Sequence, residues 1–92
     1  MSFPWKPITT EAALGTNTGA ASNVGKCRFV RLLNTAAVGT EHLVTLEESG
    51  GTDIGTFTIE GQQEVIISKD PTDQLFAANA AVLAVGIALN SN

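Results

Sequence analysis

The sequence predicts an all-β fold, a small antiparallel β-sandwich or partly open barrel of five or six strands with an extended N-terminal arm. Three observations carry this. Apolar and polar residues alternate at period two in successive runs from Lys26 to Leu89, which is the periodicity of a strand with one face buried. Those runs are punctuated by Ser49-Gly50-Gly51-Thr52-Asp53, Gly61-Gln62 and Asp70-Pro71-Thr72-Asp73, residue types that supply turn geometry. The first 23 residues lack the pattern. With 92 residues the chain is one domain, divided into an arm over 1–23 and a β-sandwich over 24–92.

In the arm, Phe3-Pro4-Trp5-Lys6-Pro7 sets two aromatics among prolines, which favours extended backbone. Leu14 to Asn23 is a low-complexity stretch of small polar residues with little apolar surface to offset ordering entropy, so it reads as a loop or mobile arm. Lys26 to Asn34 is the first strand. Cys27, Phe29, Arg31 and Leu33 share one face, Arg28, Val30 and Leu32 the other, and apolar groups on both faces place it centrally. His42 to Glu48 follows after a connection. The paired glycines at 50 and 51 turn the chain into Ile54 to Glu60, and Gly61-Gln62 into Gln63 to Lys69. These three strands are expected to form a locally paired meander. Asp70-Pro71 breaks the run, and a turn or short helical piece is expected through Ala81. The last strand has Leu83, Val85, Ile87 and Leu89 alternating with Val82, Ala84, Gly86 and Ala88. The bulky set is expected inward and the small set outward. That smooth small-residue face admits close approach by another subunit, or by the domain's own second sheet.

Composition excludes several function classes. The net charge is −4 with five Lys and Arg, so the positive footprint of a nucleic-acid binder is missing. Cys27 is the single cysteine, which rules out an internal disulfide or a cysteine metal cluster and suits assembly in a reducing cytosol. The longest apolar stretch, Leu75 to Leu89, is too short and too interrupted by Asn79 for a membrane span. Charged residues are 15% of the chain, below the usual quarter, and such a weakly charged surface suits packing against protein.

Catalytic constellations are hard to assemble. His42 is the one histidine and would have to serve any Ser-His-Asp or Cys-His arrangement. Cys27 lies in an apolar strand and reads as a small buried filler. Asp70 and Asp73 offer oxygen ligands for Ca²⁺, but turn and capping duties explain both. Glu47 and Glu48 point to opposite faces of a strand, so they make a poor carboxylate pair. No enzyme activity, cofactor or metal is expected. Phe3 and Trp5 stand out because large aromatics are costly to leave in water and dominate binding hot spots. With Ile8 and Leu14 they are the expected partner-binding residues. The arm carrying them either anchors on a neighbouring subunit or folds back to cap its own domain.

The stretch from Phe29 to Leu89 resembles small capsid-associated virion proteins of tailed bacteriophages, of marine and cyanobacterial-host type. The pieces carrying the likeness are Val30-Arg31-Leu32-Leu33-Asn34-Thr35, His42-Leu43-Val44-Thr45-Leu46, Ile54-Gly55-Thr56-Phe57-Thr58-Ile59, Glu64-Val65-Ile66-Ile67-Ser68-Lys69-Asp70-Pro71-Thr72-Asp73 and Ala80-Ala81-Val82-Leu83-Ala84-Val85. They span about two-thirds of the chain. The resemblance implies a non-enzymatic capsid decoration or cement (or knob-like) subunit that binds the outer capsid lattice. It further implies a homo-oligomer whose partners are the major capsid protein or other virion proteins, located on virions assembled in the host cytoplasm. Two other classes stand beside it. One is an Ig-like recognition module at the head-neck, tail or fibre, against which the scarcity of exposed aromatics counts; the other is an enzyme, which lacks a candidate site.

Overall fold

The computed structural model describes residues 4–89; Phe3 lies outside the described residues. Eight strands form two antiparallel sheets: β1 (Trp5–Pro7), β2 (Ala12–Ala13), β3 (Phe29–Asn34), β4 (His42–Glu47), β5 (Asp53–Ile59), β6 (Glu64–Ser68), β7 (Gln74–Ala77) and β8 (Val82–Leu89). One sheet runs β1-β8-β3-β6, with β2 beside β1 along the same edge of β8; the other runs β5-β4-β7. The all-β expectation holds, and the only helical element described is a 3-10 turn at Thr18–Ala20.

The core lies between the sheets. Val30, Leu32, Val82 and Ala84 from the five-stranded sheet meet Val44, Ile59, Leu75 and Ala77 from the three-stranded one, with Leu14 and Val24 filling the side. Strand β3 is central, as both its apolar faces predict, because it bonds β8 on one side and β6 on the other.

Four expectations need correction. The extended arm is not seen in the described residues. Trp5–Pro7 and Ala12–Ala13 pair with β8. Leu14 then enters the core, and the chain crosses to the second sheet, where Ser22 and Leu75 exchange backbone bonds and Ala77 N–H donates to the Gly15 carbonyl. A segment poor in apolar surface is ordered here by backbone pairing along two sheet edges. Residues 74–77 form strand β7, not a turn or helical piece: Leu75 and Ala77 are buried while Gln74 and Phe76 are half-buried. The Ala-rich composition concealed that alternation. Strands β5 and β6 do not pair. The Gly61-Gln62 turn hands the chain from one sheet to the other, where β6 pairs with β3. Its left-handed Gln62 (φ 65°) and a bond from Gln62 N–H to the Asn34 carbonyl dock the turn on the end of β3. Last, the two faces of β8 are reversed relative to expectation. Residues directly opposite in an antiparallel pair share a face. Ala84 lies opposite Leu32 and Gly86 opposite Val30, so the small set faces the core and the bulky set faces away. The small-residue face is therefore used inside the domain's own sandwich.

Lack of room explains the reversal. A Cβ on Gly86 would collide with the Cys27 sulfur and press on the Thr9 methyl. Cys27 is thus a buried filler, packed on the glycine of a neighbouring strand. The Gly86 N–H meanwhile donates to Thr9 Oγ1 at 2.8 Å.

Candidate functional site

The reversed polarity of β8 builds the most distinctive surface of the molecule. On the outer face of the five-stranded sheet Leu83, Val85, Ile87 and Leu89 stand beside Leu33, Arg31 and Phe29 of β3, in that register. Beyond β8, Trp5 lies opposite Leu89 and Pro7 opposite Ile87. On the far side Ile66 of β6 lies opposite Arg31. The outer face of a two-sheet sandwich normally alternates to polar residues. Here it carries a nearly continuous apolar layer, open at its two ends, where Leu89 is 47% and Ile66 40% exposed, and covered at Val85 and Ile87, which are 4% and 2% exposed.

Electrostatics organise the middle of this face. Arg31 Nη1 meets Glu11 Oε2 at 2.8 Å and Arg31 Nε meets Glu64 Oε2 at 2.6 Å. Arg31 stands on β3, Glu64 on β6, and Glu11 in the bulge between β1 and β2. The ion pairs therefore bridge the sheet from edge to edge and pass over Val85, the strand neighbour of Arg31, which is only 4% exposed. Apolar patches flank the bridge, with Phe29, Ile87 and Trp5 on one side and Leu33 and Leu83 on the other.

The expected partner-binding residues separate. Trp5 is half-buried on this outer face. Ile8 is 53% exposed at the edge bulge, next to a backbone bond from its N–H to the Gly86 carbonyl. Leu14 belongs to the core and is not part of a surface. Phe3 lies outside the described residues. The period-two reading had found Phe29, Leu33 and the bulky set of β8 but placed that set inward. The signal that distinguishes the faces is Cys27 against Gly86, a tertiary contact.

The titratable residues serve the fold. Glu47 is fully buried, accepting from Gln74 Nε2 at 2.7 Å and Thr18 Oγ1 at 3.3 Å. Lys69 is 7% exposed; its ammonium donates to the carbonyls of Asp70 and Pro71, and burial pulls its pKa below the ordinary range against the attraction of Asp73, Cys27 and Asp70. Asp73 accepts from the Asp70 N–H, so this acidic pair closes a turn. His42 is half-buried at the start of β4. The Glu60 carboxyl is held above its usual value by its hydrogen bond with Glu41, by that neighbour's charge and, least, by desolvation. Among the described residues no group of three or more His, Cys, Asp and Glu is placed to hold a metal ion, and no helix is long and apolar enough to cross a membrane. Two open surface pockets lie among the described residues. One of about 200 Å³ sits between the edge bulge and Val24-Gly25. The other, about 470 Å³, opens between Phe29, Leu46, Ile54 and the Lys69–Asp73 corner.

One rigid loop completes the surface. Asn34 is fully buried at the end of β3. Its amide donates to the carbonyls of Ile59 and Thr40, and its side-chain oxygen accepts from the Ala36 N–H. Gln62 Nε2 donates to the carbonyls of Thr35 and Ala36. The 35–40 loop is thereby locked, and it presents Val38 83% exposed at its tip.

Comparison with known proteins found no match among family models, curated proteins or solved structures.

Proposed function

We propose that this chain is a non-enzymatic structural protein of a tailed-bacteriophage virion, a capsid decoration or cement subunit that docks on the outer capsid lattice. The observation that carries a docking role is the outer face of the five-stranded sheet, where β8 turns its bulky residues away from the core. On that face Leu89 is 47% and Ile66 40% exposed, Trp5, Phe29, Leu33 and Leu83 are half-buried, and Val85 and Ile87 are covered. Apolar side chains gathered on one face of a small domain mark an interaction site, and aromatic anchors such as Trp5 and Phe29 are the residue types that dominate such contacts. The virion assignment is supported by the resemblance carried by Val30 to Thr35, Glu64 to Asp73 and the other pieces named above. In this reading each copy adds a modest contact, and symmetric repetition ties neighbouring capsid subunits together. The partner is the major capsid protein, the site of action the virion, and the protein works in many copies.

The test is to mix the purified protein with empty capsids and locate added density by electron cryomicroscopy. Regular density on the shell, lost with Leu89→Lys, supports the reading. A bare shell with density at the neck, tail or fibres would instead favour a recognition module there. Because a ligand stabilises only the state it binds, capsids decorated with wild-type protein should also withstand heat better than capsids mixed with Leu89→Lys.

A further inference from the structure

Self-association has a specific address in this fold. Four strand edges exist, two per sheet, and three are blunted. The outer edge of β8 is covered by β1 and β2, whose own edge carries Pro4, Pro7 and a bulge. The outer edge of β7 is covered by Gly15 and Ser22. Edge strand β5 is interrupted by the register shift opposite Leu46 and Glu47, which leaves Ile54 unpaired. Among the described residues strand β6 has none of these devices: no proline, no bulge, no covering segment. Natural edges are usually protected by such features, so an unprotected one is a pairing surface.

The phase of the ladder fixes which groups of β6 are free. Lys69 N–H bonds the Arg28 carbonyl, and Asn34 N–H bonds the Gln63 carbonyl. In an antiparallel pair the bonded positions alternate. Residues 63, 65, 67 and 69 therefore face β3, and Glu64, Ile66 and Ser68 turn their N–H and C=O groups outward. A two-fold axis at Ile66 would pair all three at once, Ile66 with Ile66 of the second copy and Glu64 with Ser68, each pair exchanging two backbone bonds. The side chains agree with that register. A carboxylate meets a hydroxyl and not a like charge, Val65 meets Ile67 on the core side, and the exposed Ile66 side chains cover each other.

We infer that two copies of this chain associate through antiparallel β6–β6 pairing about a two-fold axis at Ile66, joining their five-stranded sheets into one continuous sheet. The inference deepens the multi-copy role proposed above, yet it stands on the edge geometry alone. The dimer would set two apolar outer faces side by side, doubling the docking surface.

The experiment reads self-association of the full chain with no other protein present, so its failure is distinguishable from failure of the capsid reading. Sedimentation between about 10 μM and about 1 mM brackets the affinity of a weak to moderate edge-paired dimer. Wild-type protein should shift from monomer to dimer, and Ile66→Lys, whose side chain is exposed, should stay monomeric with an unchanged β circular dichroism spectrum. If the lysine variant misfolds, Ile66→Cys decides. Under mild oxidation it should form a symmetric disulfide dimer, because opposed Cα atoms lie within bridging reach. Leu43→Cys, comparably exposed at 44% but on β4 of the other sheet, should cross-link far more slowly. Wild-type protein monomeric throughout, or equal cross-linking at both cysteines, would overturn the inference.

Discussion

Replacing Asn34 by alanine tests the joint on which the loop, the inter-sheet turn and the end of β3 all depend. The residue is fully buried. Its amide satisfies the Ile59 carbonyl at 2.9 Å and the Thr40 carbonyl at 3.0 Å, and its oxygen satisfies the Ala36 N–H at 3.0 Å. Truncation orphans all three backbone groups. The Ile59 acceptor is buried and carries the larger penalty, about 1–3 kcal/mol, while the other two, closer to solvent, lose about 0.5–1 kcal/mol each because water partly replaces the amide. The sum is about 2–5 kcal/mol, against a total stability of about 5–14 kcal/mol for a chain this long. At about 4–8 °C per kcal/mol for this size class, Tm should fall by at least about 8 °C. Urea and thermal unfolding followed by circular dichroism would measure it, with Asn34→Asp as a second variant of nearly the same shape. The aspartate loses both donors and turns its charge toward two carbonyls, so it should do no better than alanine. A cost below about 0.5 kcal/mol for both variants, less than one ordinary hydrogen bond, would refute the claim that Asn34 is the joint.

Three further outcomes are expected from packing, backbone and charge. Gly86→Ala should destabilise by about 1–3 kcal/mol through overpacking against Cys27, and part of that loss should return in the Cys27→Ala background, a coupling that a double-mutant cycle by urea unfolding would read. Lys26 is exposed and holds φ at 59°, so Lys26→Gly should raise unfolding stability by about 0.5–1 kcal/mol, the left-handed cost relieved less the added entropy of the unfolded chain. Burial lowers the Lys69 pKa from 10.5, so between the folded value and 10.5 the unfolded chain binds the proton more tightly and stability should rise with pH. Lys69→Met should flatten that alkaline rise in Tm, while losing stability at neutral pH because the Asp70 and Pro71 carbonyls lose their donor.

Much of the fold was legible because period two and turn chemistry are local. Strands β3, β4, β5 and β6 lie within one or two residues of the expected boundaries at most ends, and the Gly50-Gly51 hairpin closes as its composition predicts, with the Glu48 N–H on the Thr52 carbonyl and Gly51 at φ 94°. The start of β3 is the exception, since Val24, Gly25 and Lys26 adopt consecutive left-handed conformations that no propensity announces for a β-branched residue. What was not legible is non-local. Alternation along β8 defines two faces but not which is inner; that is decided by Cys27 and Thr9 crowding Gly86. A short turn predicts a hairpin, and only the Asn34 anchor of Gln62 shows that this one changes sheets. At the candidate site, Trp5 and Ile8 were visible as conspicuous apolar residues in a light segment. Leu14 looked the same in sequence yet went to the core.

The N-terminal segment connects these findings. If it were a detachable arm, removing residues 1–23 would leave the β body intact. In the structure its backbone seals β8 and β7, its Leu14 fills the core, and its Glu11 completes the bridge through Arg31 over Val85. Losing Leu14 alone costs about 2–5 kcal/mol by analogy with buried leucine truncations, and two long sheet edges would be uncovered besides. The deletion should therefore leave an unfolded or aggregating chain with collapsed β circular dichroism, whereas a folded, soluble 24–92 fragment with a near-native Tm would restore the detachable arm. The same accounting explains why the free surface lies where it does. The segment closes one edge of each sheet, and among the described residues β6 is the edge left bare, with Ile66 40% exposed on it; a domain that seals three edges and leaves the fourth bare has confined its strand pairing to one place.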